Sequence, residues 1–197
     1  NRSNFQQEIF ELYHDLITFG TAAMFVEEDE EDLIKFSTRH IDEVYVAENE
    51  KGKIDTIFRK FHMTSRALVQ KFGNNVSQDI QTSVKKNPYE EIQIIHAVYP
   101  RNEFNPKKKD KANMPFESVY FEYKNGNELS VSGFKEFPFV VPRYLKASHE
   151  VYGRSPAMTA LPDVKMLNEM SKVTIKAAQK QVDPPLLVPD DGFLLPV

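Results

Sequence analysis

The chain has no cysteine and no tryptophan, and only 7 of its 197 residues are glycine. The missing cysteine removes disulfides, thiolate catalysis and cysteine-ligated zinc together. Scarce glycine leaves few places for the close backbone approach that nucleotide phosphates require. No apolar run comes near the ~20 residues that cross a bilayer. Neither charge dominates: 25 basic side chains stand against 29 acidic ones, a net charge of −4, so no global basic field argues for nucleic-acid affinity. A phosphate-binding glycine loop, a nucleophile elbow and a His-Glu-x-x-His pair are all absent. The histidines, His14, His40, His62, His96 and His149, include no pair at metal-ligand spacing. His96 lies in an apolar strand and reads as a satisfied core or interface residue. No catalytic residue, cofactor or metal is assigned, and the chain does not read as an enzyme.

What is present is the material of a folded core, with 41% hydrophobic and 12% aromatic residues. The length suits one large domain or two small ones. The chain opens Asn1-Arg2-Ser3-Asn4, without Met, and ends on the apolar Phe193-Leu194-Leu195-Pro196-Val197. It reads as an internal piece of a longer protein.

Periodicity predicts an α+β fold. Phe5, Ile9, Leu12, Tyr13, Leu16 and Ile17 recur at helical intervals over 4–19, with Gly20 as the stop. Strands follow at 21–28, 33–37, 44–47 and 54–62, the last two joined by the polar turn Asn49–Gly52. Thr64 and Ser77 cap short helices over 65–72 and to about Lys86, whose few apolar residues suit covering one sheet face. A second strand group takes 91–99, 116–124 and 128–134, with Asn125-Gly126 as a tight hairpin turn. Residues 137–145 read as an edge or irregular strand because of Pro138 and Pro142.

Two charged stretches invite a functional reading. Glu27 to Asp32 is a run of six carboxylates. It could hold a divalent cation, but it lacks the glycine and alternation of a calcium loop, and a solvated turn is the plainer reading. Lys107, Lys108, Lys109 and Lys111 lie in the loop 101–115, where they could contact phosphates or simply be solvated.

The chain is organised around Val151-Tyr152-Gly153-Arg154-Ser155-Pro156 and the helix this stretch opens, to about Gln181. Ser155 and Pro156 suit the cap and first helical position, and Asp183-Pro184-Pro185 stops the helix. Pro162, inside it, predicts a kink or a restart. At ~100° per residue, Met166, Leu167, Met170, Val173, Thr174, Ala177 and Ala178 fall in one arc, and Lys165, Lys172, Lys176 and Lys180 in a second, narrower one. The lysines are either an ordinary solvated face, with Glu169 set to pair with Lys165 and Lys172, or a surface for passing phosphates.

Tyr152-Gly153-Arg154-Ser155-Pro156, Leu161-Pro162-Asp163 and Asp183-Pro184-Pro185, in this order, resemble the portal (head-to-tail connector) proteins of short-tailed, podovirus-type bacteriophages. The resemblance runs back through the strand-rich part. It implies a non-catalytic subunit of a dodecameric ring at the portal vertex of the virion, assembled in the host cytoplasm. The implied partners are further copies of the chain, terminase, tail or adaptor and capsid proteins, and double-stranded DNA passing without sequence specificity; no membrane is implied. On the family pattern, residues 1–150 are wing-like, 151–181 are a stem-like helix, and 182–197 begin an extended clip-like segment. The resemblance fixes no single residue's role. Two alternatives remain: another phage virion or tail structural protein, and a carboxylate-dependent metal hydrolase using Glu27–Asp32.

Overall fold

A computed structural model of the chain describes residues 3–29, 33–105, 108 and 110–185. The fold is α+β, and the chain divides into two compact units, residues 1–156 and 157–197. The first unit opens with helix α1 (Phe5–Phe19), which ends at Gly20 in the left-handed conformation, its N–H donating to Leu16 O at 2.9 Å. Strands β1 (Ala23–Asp29), β2 (Leu33–Arg39), β3 (Val44–Glu48) and β4 (Ile54–Thr64) follow, then helices α2 (Ser65–Phe72) and α3 (Gln78–Lys86). Strands β5 (Glu91–Pro100), β6 (Phe116–Glu122), β7 (Glu128–Phe134) and the two-residue β8 (Phe139–Val140) complete the unit.

The strands form two antiparallel sheets. One has the order β2-β1-β8; the other is the meander β3-β4-β5-β6-β7. Period-2 alternation turns Ile57, Phe61, Ile94 and Val98 to one face of the larger sheet. That face is covered in two parts. At one end Ala23 and Phe25 of β1 and Phe139 of β8 pack on Val44, Ile57 and Val98. At the other, Leu68 of α2 and Ile80 of α3 pack on Phe61, Ile94 and Leu129. The short helices thus cover one sheet face, as their apolar residues require. The reverse face of the small sheet carries Met24 and Phe36 against Leu12, Ile9 and Leu16 of α1.

Edge strand β2 is closed by side chains. Asn4 Nδ2 donates to Phe36 O (2.8 Å), Asn4 Oδ1 accepts from Phe36 N (3.0 Å), and Thr38 Oγ1 donates to Glu8 O (2.9 Å).

Three local expectations need correction. Ser77 stands at the N-cap of α3, but its side chain makes no cap bond. Glu122 Oε1 instead accepts the Ser77 N–H at 2.9 Å, and the buried Ser77 Oγ has no partner. Asn125-Gly126 is not a two-residue hairpin turn: Glu122 N donates to Asn127 O (2.9 Å) and Gly126 N to Glu122 O (2.9 Å), closing a wider loop with Gly126 at φ 65. The acidic run is not all turn. Glu27–Asp29 belong to β1, while residues 30–32 lie outside the described residues.

Candidate functional site

Residues 144–156 form a clasp on the far end of α1. Gly153 N donates to Thr21 Oγ1 (2.7 Å), Tyr144 N to Gly20 O (2.9 Å), Arg154 N to Leu145 O (2.7 Å), and Ser155 Oγ to Thr18 O (2.8 Å). Tyr152 Oη accepts from Val46 N at 3.2 Å, tying the same segment to β3. Arg143 donates to Glu48 Oε1, to Val151 O (3.1 Å) and to Gly52 O (3.1 Å), and Lys146 reaches Glu48 Oε1 at 2.6 Å. The motif Tyr152–Pro156 therefore acts structurally: its polar groups are taken by backbone, by Thr21 and, for the Arg154 guanidinium, by Glu150.

That helix, α4, runs Pro156–Val182 without interruption, 27 residues or about 40 Å at the α-helical rise. Pro156 takes the first helical position. Pro162 neither stops nor restarts the helix, because its ring removes only one rung of the ladder and the remaining turns carry the rest. The end falls before Asp183-Pro184-Pro185, as the prolines dictate.

No residue of α4 is buried. Lys165, Lys172, Lys176 and Lys180 are all exposed, and Lys172 Nζ lies 3.1 Å from Glu169 Oε1. The apolar arc is open too: Met166 is 58%, Met170 59% and Val173 61% exposed. A second apolar strip, Leu161, Val164, Ile175 and Val182, is equally uncovered. At ~100° per residue it flanks the lysines on the side away from the first arc. Sequence reading overlooked it because these four residues are spread over 22 positions and follow no i, i+4 run. The lysine stripe thus lies between two apolar strips, the second of which also carries Asn168 and Gln179.

The other candidates do not converge. Lys107 and Lys109 lie outside the described residues. Lys108 is exposed, and Lys111 opens a single 3-10 turn, Lys111–Asn113. The base of that loop is pinned: Arg101 N donates to Pro115 O (2.8 Å), and its guanidinium meets Ala112 O and, at 3.3 Å, Glu117. Among the described residues no group of three or more His, Asp or Glu could hold a metal ion, and no helix is long and apolar enough to cross a membrane.

His96 sits buried at the middle of the large sheet, as an apolar strand implies. It is paired across the ladder with Arg59 and Tyr120, stacks on the Tyr120 ring at 3.9 Å, and shares a 2.9 Å hydrogen bond with Ser118 Oγ. Burial, then the nearby Lys71, Arg59 and Arg39, push its pKa down to about 3, so the ring is neutral near pH 7. Burial likewise raises Tyr120 to about 12.

Fold and surfaces define an α+β building block that presents a long amphipathic helix with its apolar strips uncovered. The chain belongs to the family of bacteriophage head to tail connecting proteins, whose family model matches residues 1–196. It is 37% identical over 194 residues to the portal protein of Salmonella phage epsilon15, a match that takes in 96% of this chain and 35% of that protein. It is 31% identical over 192 residues to the probable portal protein of Bordetella phage BPP-1, covering 95% of this chain and again 35% of that protein. The chain thus spans about a third of the length of these curated relatives. The family description is that of a structural connector.

Proposed function

We propose that this chain is the wing-and-stem portion of a phage portal subunit. Copies join side to side in a closed, dodecameric ring at the portal vertex of the virion, the site where terminase docks, DNA enters and leaves, and tail or adaptor proteins attach. Residues 1–150 serve as the wing, 151–181 as the stem and 182–197 as the start of the clip, with assembly in the host cytoplasm. The role is conduction and docking, without catalysis.

The observation that carries the reading is the lysine seam of α4 between two uncovered apolar strips. A helix with two such strips is suited to two neighbours, one on each side, as a ring of repeated heterologous contacts provides. The seam between them is left for the channel. Lysines there meet phosphates of any sequence, because phosphate contacts position a duplex without reading bases.

The test is the triple change Lys172→Gln, Lys176→Gln and Lys180→Gln in the full-length protein. Rings should form normally, since the apolar strips are untouched, while the length or retention of packaged DNA changes. Normal packaging with normal retention would reduce the seam to plain surface.

A further inference from the structure

We propose that Arg39, Arg59 and Lys71 form a binding site for a phosphate-class oxyanion beside the stacked His96 and Tyr120. The placement follows from strand parity. Register pairs Ala23 with Arg39 and Glu27 with Lys35, so Lys35 and Arg39 share the face on which Ala23 and Phe25 meet the large sheet. From the large sheet Arg59 projects beside His96, to which it is paired across the ladder. From α2 the Lys71 ammonium lies 4.5 Å above the Tyr120 ring and 5.4 Å from that of Phe72. Arg39, Arg59 and Lys71 thus act together on the stacked His96 and Tyr120, while Lys35 is exposed and lies opposite Glu27 on β1.

Of the three, only Arg59 has a carboxylate partner among the described residues. Glu43 is engaged by Arg59, at 2.8 Å from both Nε and Nη2. Arg39 is half-buried, and no hydrogen bond or ion pair among the described residues reaches its guanidinium. Lys71 is exposed, and its close partners are the Tyr120 and Phe72 ring faces. Burial lowers the pKa of both: on Arg39 the Arg59 charge lowers it further, against Tyr120, Glu27 and Glu43, and on Lys71 Glu27 opposes ahead of the lowering by Arg39, Arg59 and Lys35.

Removing a cation from water without a counter-charge is costly. The fork of Arg39 can grip two oxygens of a tetrahedral anion while Lys71 supplies a point charge. A doubly charged phosphate group matches Arg39 and Lys71, the two cations of the three that have no carboxylate within ion-pair distance among the described residues. Its source is either free phosphate or a phosphodiester chain, and the chemistry of recognition is shared.

The experiment measures thermal unfolding of the purified protein in chloride, in inorganic phosphate and with oligothymidylate, all at one ionic strength. Arg39→Gln and Lys71→Gln are compared with the exposed α3 control Lys85→Gln. Phosphate should raise the midpoint of the native protein and of Lys85→Gln, with affinity weakened about tenfold or more in the other two variants, the loss of a charge-assisted pair. In chloride alone both variants should be no less stable than the native protein, because each relieves repulsion. A response to phosphate without one to the oligomer assigns the site to the free ion; a response to both assigns it to phosphodiesters as well. Equal midpoints in all three media overturn the proposal, as does a phosphate response that survives in Lys71→Gln, a surface change that leaves the core intact.

Discussion

Gly20 and Gly153 cross so closely that a Cβ added to Gly20 would lie 2.5 Å from Gly153 O. Gly20 also holds φ 80, where an L side chain is strained. A Cβ on Gly153 would run into Gly20 O and lie 3.0 Å from Arg143 Cβ. Neither atom set can yield cheaply, because the obstacles include backbone held by the Tyr144–Gly20 and Gly153–Thr21 hydrogen bonds. Gly153→Ala is expected to destabilise the first unit by about 1–3 kcal/mol or more, the range of overpacking in a tight site. Gly20→Ala should cost more, since it adds the backbone term. Urea midpoints measure both, with the exposed Gly126→Ala, which has only its positive φ to lose, as the comparison.

His96 makes stability pH-dependent. Its folded pKa of about 3 lies below the ordinary 6.5, so the unfolded chain binds the proton more tightly. The contribution is fully present above pH 6.5 and declines as pH falls from there toward 3, by about 1.4 kcal/mol per unit at most. His96→Gln should lower stability near neutral pH through lost stacking on Tyr120, yet give a flatter profile between those limits. Chemical denaturation across that range checks it; an unchanged slope would remove His96 as the acid-sensitive group.

These two sites also mark how far the sequence could be read. Most strands and all four helices were legible because burial on one face imposes period 2 or 3.6 on residues such as Ile92, Ile94 and His96, or Ile9, Leu12 and Leu16. The division into two sheets was not, since pairing β8 with β1 joins Phe139 to Phe25 across most of the chain. Tyr152–Pro156 could be recognised, but its task could not: its partners, Thr18, Gly20 and Thr21, carry no mark of their role. The gathering of Arg39, Arg59 and Lys71 is equally non-local. The cap at Ser77 and the turn at Asn125-Gly126 failed for different reasons: the carboxylate of Glu122, 45 residues on, takes the Ser77 N–H, whereas the loop widens locally, through the backbone bonds of Glu122 with Asn127 and Gly126.

Glu48 gives a second, distinct acid response. Its hydrogen bonds from Lys146 and then Arg143 hold its carboxyl below the usual carboxylate value. The contribution is present above the unfolded value and lost as pH falls through the lower folded one. Glu48→Gln should lose that acid dependence and loosen Arg143 from β3, while leaving the slope due to His96 in place. Because ions screen the pairs, the difference between the native protein and Glu48→Gln should shrink in high salt. Thermal midpoints at low and high salt, over acid pH, separate the two groups.

The two strips of α4 make separable predictions. If the helix is wedged between two neighbours in a full-length ring, each strip meets a different copy, and a buried carboxylate on either costs several kcal/mol per contact. Met170→Glu tests the first arc and Ile175→Glu the second; both residues are 59% exposed in the chain by itself, so neither change should disturb the fold of a subunit. Both are expected to abolish closed rings of the full-length protein in negative-stain images, whereas Lys176→Gln leaves them intact. The 197-residue chain, about a third of its relatives' length, should stay monomeric or weakly associated by light scattering, because one uncovered helix offers too little area for a stable closed contact. Normal rings from Ile175→Glu would show that the second strip faces no neighbour. The lysines would then border open surface on one side rather than line a channel.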